Sequence, residues 1–376
     1  MLRVMFTASG KHIGGATMAM IHLILGLASI RKVEPILLST PPRQDYLKLY
    51  KRLLEKNVKI VFSRYVFRSS LLYWVWLFFS SLKTIKRFRI DIVHCHGTKE
   101  ALIVGLAAKL LRRKIVYTVE GDPILEIFYS PQNYSMLDKI ILKFSWMLGL
   151  RLADVVVGCS NWMANYLKKK YGIEAIGIHN PIDYERFSKI EKHGSNIVCV
   201  ARFEKVKGLE TLLKAVPKII EVFPNIKVVL VGGGAEEEFL RKMMEKLSIS
   251  KNVEFQAFRS DIERVFEDAA IFVLPSIYEP FGMAAAEALA SGIPIIVSRT
   301  GGLREIVEEN VNGFSFNTGD WRELSEKLLL LLRDSRLREE MSRAARTSAK
   351  KFSSENIALK YLQTYLFTLK GLTRNR

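Results

Sequence analysis

The chain has 376 residues, 49% hydrophobic and 25% charged, which is an ordinary globular composition and long enough for two domains with separate cores. Its longest nearly uncharged apolar run, residues 69–82, falls short of the ~18 residues of a membrane span, so a soluble or peripheral protein is expected. The net charge of +19 lies mostly in residues 1–190, which hold 29 Lys and Arg against 13 Asp and Glu. Two interpretations of this charge remain open. It attracts an anionic partner, either nucleic acid or a membrane surface, or it serves only to keep the protein soluble.

Apolar runs alternate with helical patterns along the first half of the chain. Strands are predicted at 3–6, 35–39, 59–62, 90–95, 114–118, 154–158 and 175–179, and helices at 17–29, 46–56, 99–111 and 161–171. The first strand runs directly into a glycine loop, so no signal peptide is predicted. Three cysteines without a CxxC spacing predict buried, reduced thiols and a cytoplasmic protein: Cys95, Cys159 and Cys199.

The same alternation restarts in the second half of the chain. Strands are predicted at 196–200, 227–231, 253–255, 271–274, 293–297 and 313–316, with helices at 208–222, 236–246, 261–268 and 283–290. This pattern predicts parallel sheets that are covered by helices on both faces. The polar segment 183–195 is the expected linker between two doubly wound α/β domains, 1–185 and 186–353. Because ligands of such sheets bind beyond the carboxyl ends of the strands, the cleft between the domains is the expected site.

The most informative stretch is 276–297, which reads SIYEPFGMAAAEALASGIPIIV. Pro280 and Gly282 interrupt the chain after a strand, and a short helix rich in alanine follows, which must be buried on nearly every side. The N-terminus of that helix offers unpaired N–H groups to an anion, and a phosphate is the expected guest. The residues at this opening are Pro280, Phe281, Gly282, Met283 and Ala284.

Two carboxylates flank the expected phosphate cradle. Glu279 precedes the helix, and Glu287 lies one to two turns deeper at a rise of ~1.5 Å per residue. A carboxylate on a close-packed helix is costly unless a partner or ligand satisfies it. The arrangement therefore suggests a nucleotide diphosphate that carries a polyol at each end.

These residues also carry a resemblance. The run from Glu279 to Glu287, the segment ASGIP at 290–294 and the segment TGGLREI at 300–306 resemble the signature of retaining glycosyltransferases of the GT-B fold, family four or group 1. The resemblance implies two Rossmann-like domains that face each other across a cleft, with residues 354–376 crossing back onto the first domain. It also implies a nucleotide-diphosphate sugar as the donor substrate and no cofactor.

Arg202 and Lys207 follow the first predicted strand of the second domain. A forked guanidinium and a compact ammonium suit the diphosphate of a leaving group. The resemblance implies that they hold the donor phosphates and, with the helix N-terminus, stabilise the leaving group without a metal. It further implies that Glu279 holds sugar hydroxyls and Glu287 the ribose.

Two glycine turns and one loop complete the expected contacts with substrate. Gly14 and Gly15 open the first helix and resemble the glycine loop of the family near the leaving phosphate and the acceptor. Gly233 belongs to a glycine turn that either approaches the ligand or only closes a tight connection. Phe258 and Arg259 occupy the position where the family recognises the base.

Two further residues lie at the ends of strands in the first half. His96, followed by glycine, resembles the strand-end histidine of the family, and a structural histidine is an equal alternative. Glu120 stands where the family often has a histidine close to the reacting sugar. Glu120 could contact a donor hydroxyl, act as a base for the acceptor or approach the sugar face, and all three roles stay open. Asp122 is an alternative to Glu120.

Residues 64–89 combine eight aromatic side chains with a basic end, which favours an interfacial helix that contacts an anionic membrane. A core helix with a favourable basic end is the alternative. Residues 139–151, with Phe144, Trp146 and Met147, are expected to extend that surface. A lipid-linked glycan, a glycolipid or a cell-surface polysaccharide is then the expected hydroxyl acceptor, and the cytoplasmic face of the membrane the expected location.

Two other functions compete with a glycosyltransferase. A sugar-nucleotide epimerase or hydrolase could use the same two-domain cleft. A nucleic-acid-binding protein would explain the sequence pI of 9.7, but the sequence lacks clustered base-reading or stacking motifs, so nucleic acid is not expected.

Overall fold

The structure is a computed structural model that describes residues 1–9, 14–63, 70–129, 135–259 and 261–371. The chain divides into two compact units, Met1–Pro181 with Ser354–Arg376, and Ile182–Ser353. Each unit consists of one sheet with helices, which is the α/β two-domain architecture predicted from the alternation of strands and helices.

The strands within the described residues are, in chain order, β1 (Leu2–Ala8), β2 (Val33–Ser39), β3 (Lys59–Phe62), β4 (Ile92–Cys95), β5 (Lys114–Val119), β6 (Val155–Gly158), β7 (Ala175–Gly177), β8 (Asn196–Arg202), β9 (Val228–Gly233), β10 (Val253–Ala257), β11 (Ala269–Leu274), β12 (Ile295–Ser298) and β13 (Gly313–Phe316).

The helices are α1 (Gly15–Ser29), α2 (Leu47–Glu55), α3 (Ser70–Phe88), α4 (Thr98–Leu110), α5 (Pro123–Tyr129), α6 (Met136–Leu152), α7 (Asn161–Tyr171), α8 (Tyr184–Phe187), α9 (Leu209–Ile220), α10 (Glu237–Lys246), α11 (Glu263–Glu267), α12 (Met283–Ala290), α13 (Leu303–Ile306), α14 (Trp321–Arg333), α15 (Ser335–Ala349) and α16 (Ser354–Leu369).

The first unit is built on a parallel sheet with the strand order β3-β2-β1-β4-β5-β6-β7. The order reverses between β1 and β4, which is the switch point where ligands bind in sheets of this kind. The inner strands are buried on both faces, so they read as continuous apolar runs instead of alternating ones.

The last helix of the chain, α16, belongs to the first unit and packs on α1. Ile357, Tyr361 and Tyr365 of α16 are buried in the same core as Ile24 of α1. The contact requires a glycine in α1, because a Cβ on Gly26 would lie 2.2 Å from the carbonyl oxygen of Ser354. The packing of α16 on α1 therefore requires that residue 26 has no side chain.

The second unit is built on a parallel sheet with the order β10-β9-β8-β11-β12-β13. Its switch point lies between β8 and β11. The helix α12 packs against α8 and α15 and against strands β11 and β12. Its alanines at 285, 286, 288 and 290 are buried, as the composition of the helix predicts.

The boundary between the units differs from the predicted one. The structure places it between Pro181 and Ile182, where the sequence predicted 185/186 and a polar linker over 183–195. Asp183 caps α8 by accepting a hydrogen bond from the backbone N–H of Arg186, and Phe187 and Ile190 are buried. The polar composition of the segment gave no indication that these two apolar residues are buried.

Two further observations concern the whole chain. The three cysteines are free and buried, and burial raises the pKa of the thiols of Cys95 and Cys199. Among the residues that the structure describes, no helix combines the length and the apolar character needed to span a bilayer.

Candidate functional site

The loop between β11 and α12 presents an open helix N-terminus. Gly282 is the N-cap of α12 with φ of 111°, and no side chain of the described residues caps that end. A side chain at Gly282 would be strained at this φ and would place its Cβ 2.5 Å from Leu303. The Ala285 N–H already donates to the Gly282 carbonyl at 3.0 Å, so the N–H groups of Met283 and Ala284 are the ones that can meet an anion, in the position that the sequence predicted.

Glu279 and Lys207 form an ion pair beside that opening. The Lys207 Nζ lies 2.7 Å from Glu279 Oε2, and the Ser276 hydroxyl donates to the same oxygen at 3.0 Å. Glu279 is buried and the Lys207 side chain is 15% exposed. Lys207 ends a short 3-10 turn after β8, and the backbone N–H of Ile277 donates to the carbonyl of Val206 at 2.8 Å. The two loops are thus joined both by main chain and by charge.

The segment 300–302 holds the loop between β11 and α12 in place through hydrogen bonds. The Gly302 N–H donates to the Glu279 carbonyl at 2.9 Å, and the Thr300 hydroxyl donates to the Ile277 carbonyl at 3.0 Å. Gly301 has φ of 51°, and a Cβ there would lie 1.9 Å from the carbonyl oxygen of Glu279. The segment therefore fixes the position of Glu279 through contacts that only glycine permits.

Glu287 lies in a different electrostatic environment. It is partly buried on α12, and burial raises the pKa of its carboxyl to about 8. Arg186 opposes this shift, whereas Asp183 and Glu263 add to it. Arg186 is itself held in an ion pair by Glu263 on α11. The carboxyl of Glu287 is thus short of positive charge in the absence of a ligand.

The remaining predicted contacts of the second unit lie in more exposed positions. Arg202 is at the end of β8 with its side chain 62% exposed, and it donates to Glu204 at 2.7 Å. A Cβ on Gly233 would have its nearest contact with the Glu237 side chain, at 4.0 Å, whereas Cβ atoms on its two glycine neighbours would meet backbone oxygens of Ala201 and Phe203. Those neighbours close the turn, and Gly233 is the glycine of the three with the most room beside it.

The loop after β10 was predicted to recognise the base. Phe258 is 66% exposed, and Arg259 donates to the Asp261 carboxylate at 2.8 and 2.7 Å. Ser260, between them, lies outside the described residues. The structure thus presents an exposed aromatic ring at the carboxyl edge of the sheet.

In the first unit, three polar side chains meet at the carboxyl ends of strands. The His96 Nδ1 lies 3.0 Å from Glu120 Oε1, and the Asn180 amide donates to Glu120 Oε2 at 2.6 Å. His96 follows β4 and Glu120 follows β5, which are neighbours in the sheet. The pairing of these strands brings together two residues that the sequence singled out separately.

A buried network lies behind this cluster. The ring of His94 is 4.5 Å from that of His96, and its nitrogens contact the hydroxyls of Tyr365 at 2.7 Å and Thr118 at 2.8 Å. Burial, with a smaller contribution from His96, holds the pKa of His94 well below its ordinary value. A neutral His94 therefore links strand β4 to helix α16.

Asp122 is fully buried and has no role at the surface of the site. It accepts hydrogen bonds from Tyr171 at 2.7 Å, from Lys170 at 2.9 Å and from Tyr166. These donors all lie on Oδ2, and Oδ1 accepts from the Ile124 N–H at 2.8 Å, so the buried carboxylate is bound within the fold, which argues against the alternative that Asp122 contacts a sugar. Gly14 is the N-cap of α1 with open space around its missing Cβ, and Gly15 begins the helix, but the preceding residues 10–13 lie outside the described part of the chain.

Comparisons with known proteins show which family and fold the chain has. The family described as Glycosyl transferases group 1 matches residues 182–348, and the family described as Glycosyltransferase Family 4 matches residues 13–186. An uncharacterized glycosyltransferase of Methanocaldococcus jannaschii is 31% identical over 306 residues, which cover 76% of this chain and 77% of the relative. The chain belongs to the group 1 glycosyltransferases.

Other glycosyltransferases resemble the chain in sequence or in fold. N-acetyl-alpha-D-glucosaminyl L-malate synthase of Bacillus anthracis is 27% identical over 304 residues, which cover 76% of this chain and 77% of the relative. HepE of Anabaena, solved with UDP and glucose, matches 97% of this chain and 99% of its own at 19% identity and a TM-score of 0.76. Sucrose-phosphate synthase of Thermosynechococcus elongatus matches 99% of this chain and 100% of its own at 19% identity and a TM-score of 0.78. The fold of this glycosyltransferase is therefore GT-B.

Three residues of these clusters were not predicted from the sequence. Asn180 follows the last predicted strand of the first half, so its place at the carboxyl edge was a usable signal. Ser276 stands three residues before Glu279 and could have been noticed for the same reason. Arg186 gave no signal, because its partner Glu263 lies 77 residues away in the chain.

Proposed function

We propose that this glycosyltransferase transfers a sugar from a nucleotide-diphosphate sugar to a hydroxyl acceptor with retention of the anomeric configuration and without a metal ion. The observation that carries the proposal is the open N-terminus of α12 with Lys207 and Glu279 beside it and Glu287 within the helix. An anion at that N-terminus would gain both the helix dipole and the Lys207 ammonium.

Each residue then has a distinct task. The N–H groups of Met283 and Ala284 and the Lys207 ammonium bind the diphosphate, and Arg202 reaches it after leaving its exposed pair with Glu204. Glu279 accepts hydrogen bonds from sugar hydroxyls, and Glu287 accepts them from the ribose. Gly233 leaves room for the sugar, and Phe258 offers a face to the base.

The same positive groups would support the chemical step. As the bond between the sugar and the diphosphate breaks, negative charge grows on the leaving oxygens, and prearranged donors stabilise it more in the transition state than in the ground state. The acceptor hydroxyl attacks from the side of the departing diphosphate and passes its proton to an oxygen of that leaving group, and the configuration is retained. Within the described residues, no group of three or more His, Cys, Asp or Glu side chains is arranged to hold a metal ion.

Calorimetry tests the donor site. UDP-, GDP-, ADP- and dTDP-linked glucose are titrated into the wild type, Glu287→Ala and Glu238→Ala, UDP-glucose first because HepE was solved with UDP and glucose. One donor is expected to bind the wild type and the control Glu238→Ala, whose site is 81% exposed, and to lose most of its affinity in Glu287→Ala. Equal binding by all three proteins would contradict the assignment, and the anomeric configuration of the product, read by NMR, checks retention.

We further propose that the acceptor is lipid-linked, as a glycan precursor or glycolipid, and that the enzyme works as a peripheral protein at the cytoplasmic face of a membrane. Three helices of the first unit support this: α4 packs against both α3 and α6, and each of the three exposes large apolar side chains. We name these residues the outer helical face: Leu71, Leu72, Val75, Phe79, Leu106, Leu110, Met136, Leu137, Ile140, Ile141 and Phe144.

The spacing of these residues makes each stripe continuous. On α3 they recur at three- and four-residue intervals, and the exposed Lys83 and Lys86 continue the same side toward the C-terminus. On α6 the stripe runs from Met136 to Phe144, with Lys139 and Lys143 beside it. Apolar side chains that enter the acyl boundary and lysines that reach anionic headgroups are the features of an interfacial helix.

The structure corrects one part of the predicted surface. Trp146 was expected to extend it, but its side chain is fully buried and packs edge-on against Tyr117. Residues 64–69 of the predicted interfacial segment lie outside the described residues. The outer helical face therefore consists of residues of α3, α4 and the first half of α6.

Vesicle sedimentation tests the membrane proposal. The wild type is expected to bind vesicles that contain phosphatidylglycerol more than pure phosphatidylcholine vesicles, and to be released by high salt. The double variant Phe79→Ser, Phe144→Ser should lose binding, whereas the control Phe239→Ser, which removes an exposed ring of the second unit, should keep it. Equal sedimentation of all three proteins, or self-association of the wild type through this face in light scattering, would overturn the proposal.

A further inference from the structure

The cluster of His96, Glu120 and Asn180 fixes the chemistry of one ring nitrogen. Both carboxylate oxygens of Glu120 are in hydrogen bonds, Oε1 with His96 Nδ1 and Oε2 with the Asn180 amide. An ionised carboxylate only accepts hydrogen bonds, so Nδ1 must carry the proton in this contact. In the neutral ring, the proton on Nδ1 leaves Nε2 as a hydrogen-bond acceptor.

That acceptor is buried and unpaired within the described part of the chain. The His96 side chain is only 7% exposed, and its Nε2 makes no hydrogen bond with any residue that the structure describes. Buried polar atoms are nearly always paired, so an unpaired one beside an ordered polar cluster indicates a missing partner. For the neutral ring, the partner has to donate a hydrogen bond, because the lone pair of Nε2 faces it.

The charge of the cluster narrows the class of ligand. The carboxylate of Glu120 lies directly behind the ring and repels an anion such as phosphate, whereas a neutral hydroxyl meets no such penalty. The neighbouring His94 adds no positive charge, because burial keeps its pKa well below the ordinary value. A hydroxyl of a sugar satisfies both requirements.

We propose that His96 Nε2 accepts a hydrogen bond from a hydroxyl of a bound sugar, and that Glu120 and Asn180 are positioning residues that hold the ring in the required tautomer. This inference rests on the proposed function, since it assigns a contact of the same reaction. The hydroxyl belongs either to the donor sugar or to the acceptor, and both present the same chemistry to the ring.

The tautomer can be measured directly. In protein labelled with ¹⁵N-histidine and free of ligand, the His96 ring is expected to show a proton on Nδ1. In Glu120→Gln, the oxygen of the new amide stays with Asn180 and its NH₂ group faces the ring, so the proton is expected to move to Nε2. The control Glu174→Gln changes an exposed glutamate of the same unit and should leave the ring unchanged.

Binding and kinetics then locate the hydroxyl. If it lies on the donor, Glu120→Gln should bind UDP like the wild type but UDP-glucose about tenfold or more weakly. If it lies on the acceptor, donor affinity should be unchanged and the KM for the acceptor should rise by a similar factor. The GDP, ADP or dTDP pair replaces UDP and UDP-glucose if calorimetry selects that base.

Two outcomes would overturn the proposal. One is a wild-type ring that carries a proton on Nε2, either in the other tautomer or in a doubly protonated ring, and the other is a tautomer that switches in Glu120→Gln while donor affinity and acceptor KM stay as in the wild type. A wild type that binds no nucleotide sugar would refute the proposed function instead. The ring measurement needs no ligand, so it separates the two failures.

Discussion

The two glutamates that flank the N-terminus of α12 have opposite environments. Glu279 is satisfied by Lys207 and Ser276, whereas Glu287 has two further carboxylates nearby and an arginine that is already paired. A raised pKa means that the folded protein disfavours the ionised form. Glu287 therefore costs the ligand-free protein stability, which is typical of a residue kept for its ligand.

Replacement of Glu287 by glutamine should separate stability from binding. The folded-state pKa is about 8 and the ordinary value is 4.5, so the carboxyl is fully tolerated below pH 4.5 and its cost grows until pH 8. Glu287→Gln should thus resist urea better than the wild type at pH 8.5, by up to a few kcal/mol, and equally at pH 4.5. It should also bind the nucleotide sugar more weakly.

Chemical denaturation at both pH values checks this expectation, with Glu238→Gln as the control on an exposed part of the same unit. A variant that is no more stable than the wild type at pH 8.5 would contradict the buried, charge-poor environment described for Glu287.

At the residue scale, the sequence predicted the features that depend on local order. The open N-terminus of α12 and the proximity of Glu279 to it could both be inferred from neighbouring residues. The pairing of Lys207 with Glu279 and the link of Arg186 to Glu263 could not, because they depend on how distant loops meet. The same holds for Asn180, which reaches Glu120 across 60 residues of chain.

At the scale of elements, the strands were predicted closely because each is a short apolar run bounded by polar or glycine residues. The predicted strand at 271–274 is the end of β11, and the predicted strand at 313–316 coincides with β13. The helix predicted at 283–290 coincides with α12. The helices α14 and α15 were not predicted. They carry amphipathic patterns with buried residues at helical spacing, so the signal was present in the sequence.

The loop between β11 and α12 depends on the glycine at 301. Gly301→Ala should destabilise the second unit and weaken donor binding, because the new Cβ would meet the Glu279 carbonyl and the positive φ would add strain. Gly319→Ala is the matched control, since its φ of 84° is also positive but no heavy atom lies within 4 Å of the new Cβ.

The control should lose about 1 kcal/mol of unfolding free energy, and Gly301→Ala about 1–3 kcal/mol more. Thermal unfolding and donor titration measure both effects. Equal losses in the two variants would show that the backbone conformation, and not contact with Glu279, determines the role of Gly301.

At the scale of the whole molecule, the first unit is discontinuous in sequence. Its sheet ends before residue 182, yet α16 contributes buried Tyr361 and Tyr365 and hydrogen-bonds Thr118 and His94. The alternation of strands and helices predicted two doubly wound parts. The return of α16 came only from the resemblance, because nothing in the composition of 354–369 indicates which core it joins.

Removal of residues 354–376 should therefore damage the first unit selectively. The truncated chain is expected to be cut by protease within 1–181 while 182–353 stays resistant, because the loss uncovers α1 and leaves His94 without Tyr365. The control Leu359→Ala, which trims an exposed side chain of α16, should be cut like the wild type. Uniform cleavage along the truncated chain would contradict this selectivity.

The late position of α16 also determines the order in which the protein can be built. A ribosome releases residues 1–181 first, but their core stays open on the α1 side until the segment around Tyr365 has emerged. The second unit needs no later segment, since residues 182–353 form one uninterrupted stretch. All of its residues are therefore synthesised before the last helix of the first unit. During synthesis the second unit is thus expected to reach its native state before the first, the reverse of the usual N-to-C order. The nascent first unit, with its apolar α1 face uncovered, is then the part of the chain most in need of a chaperone.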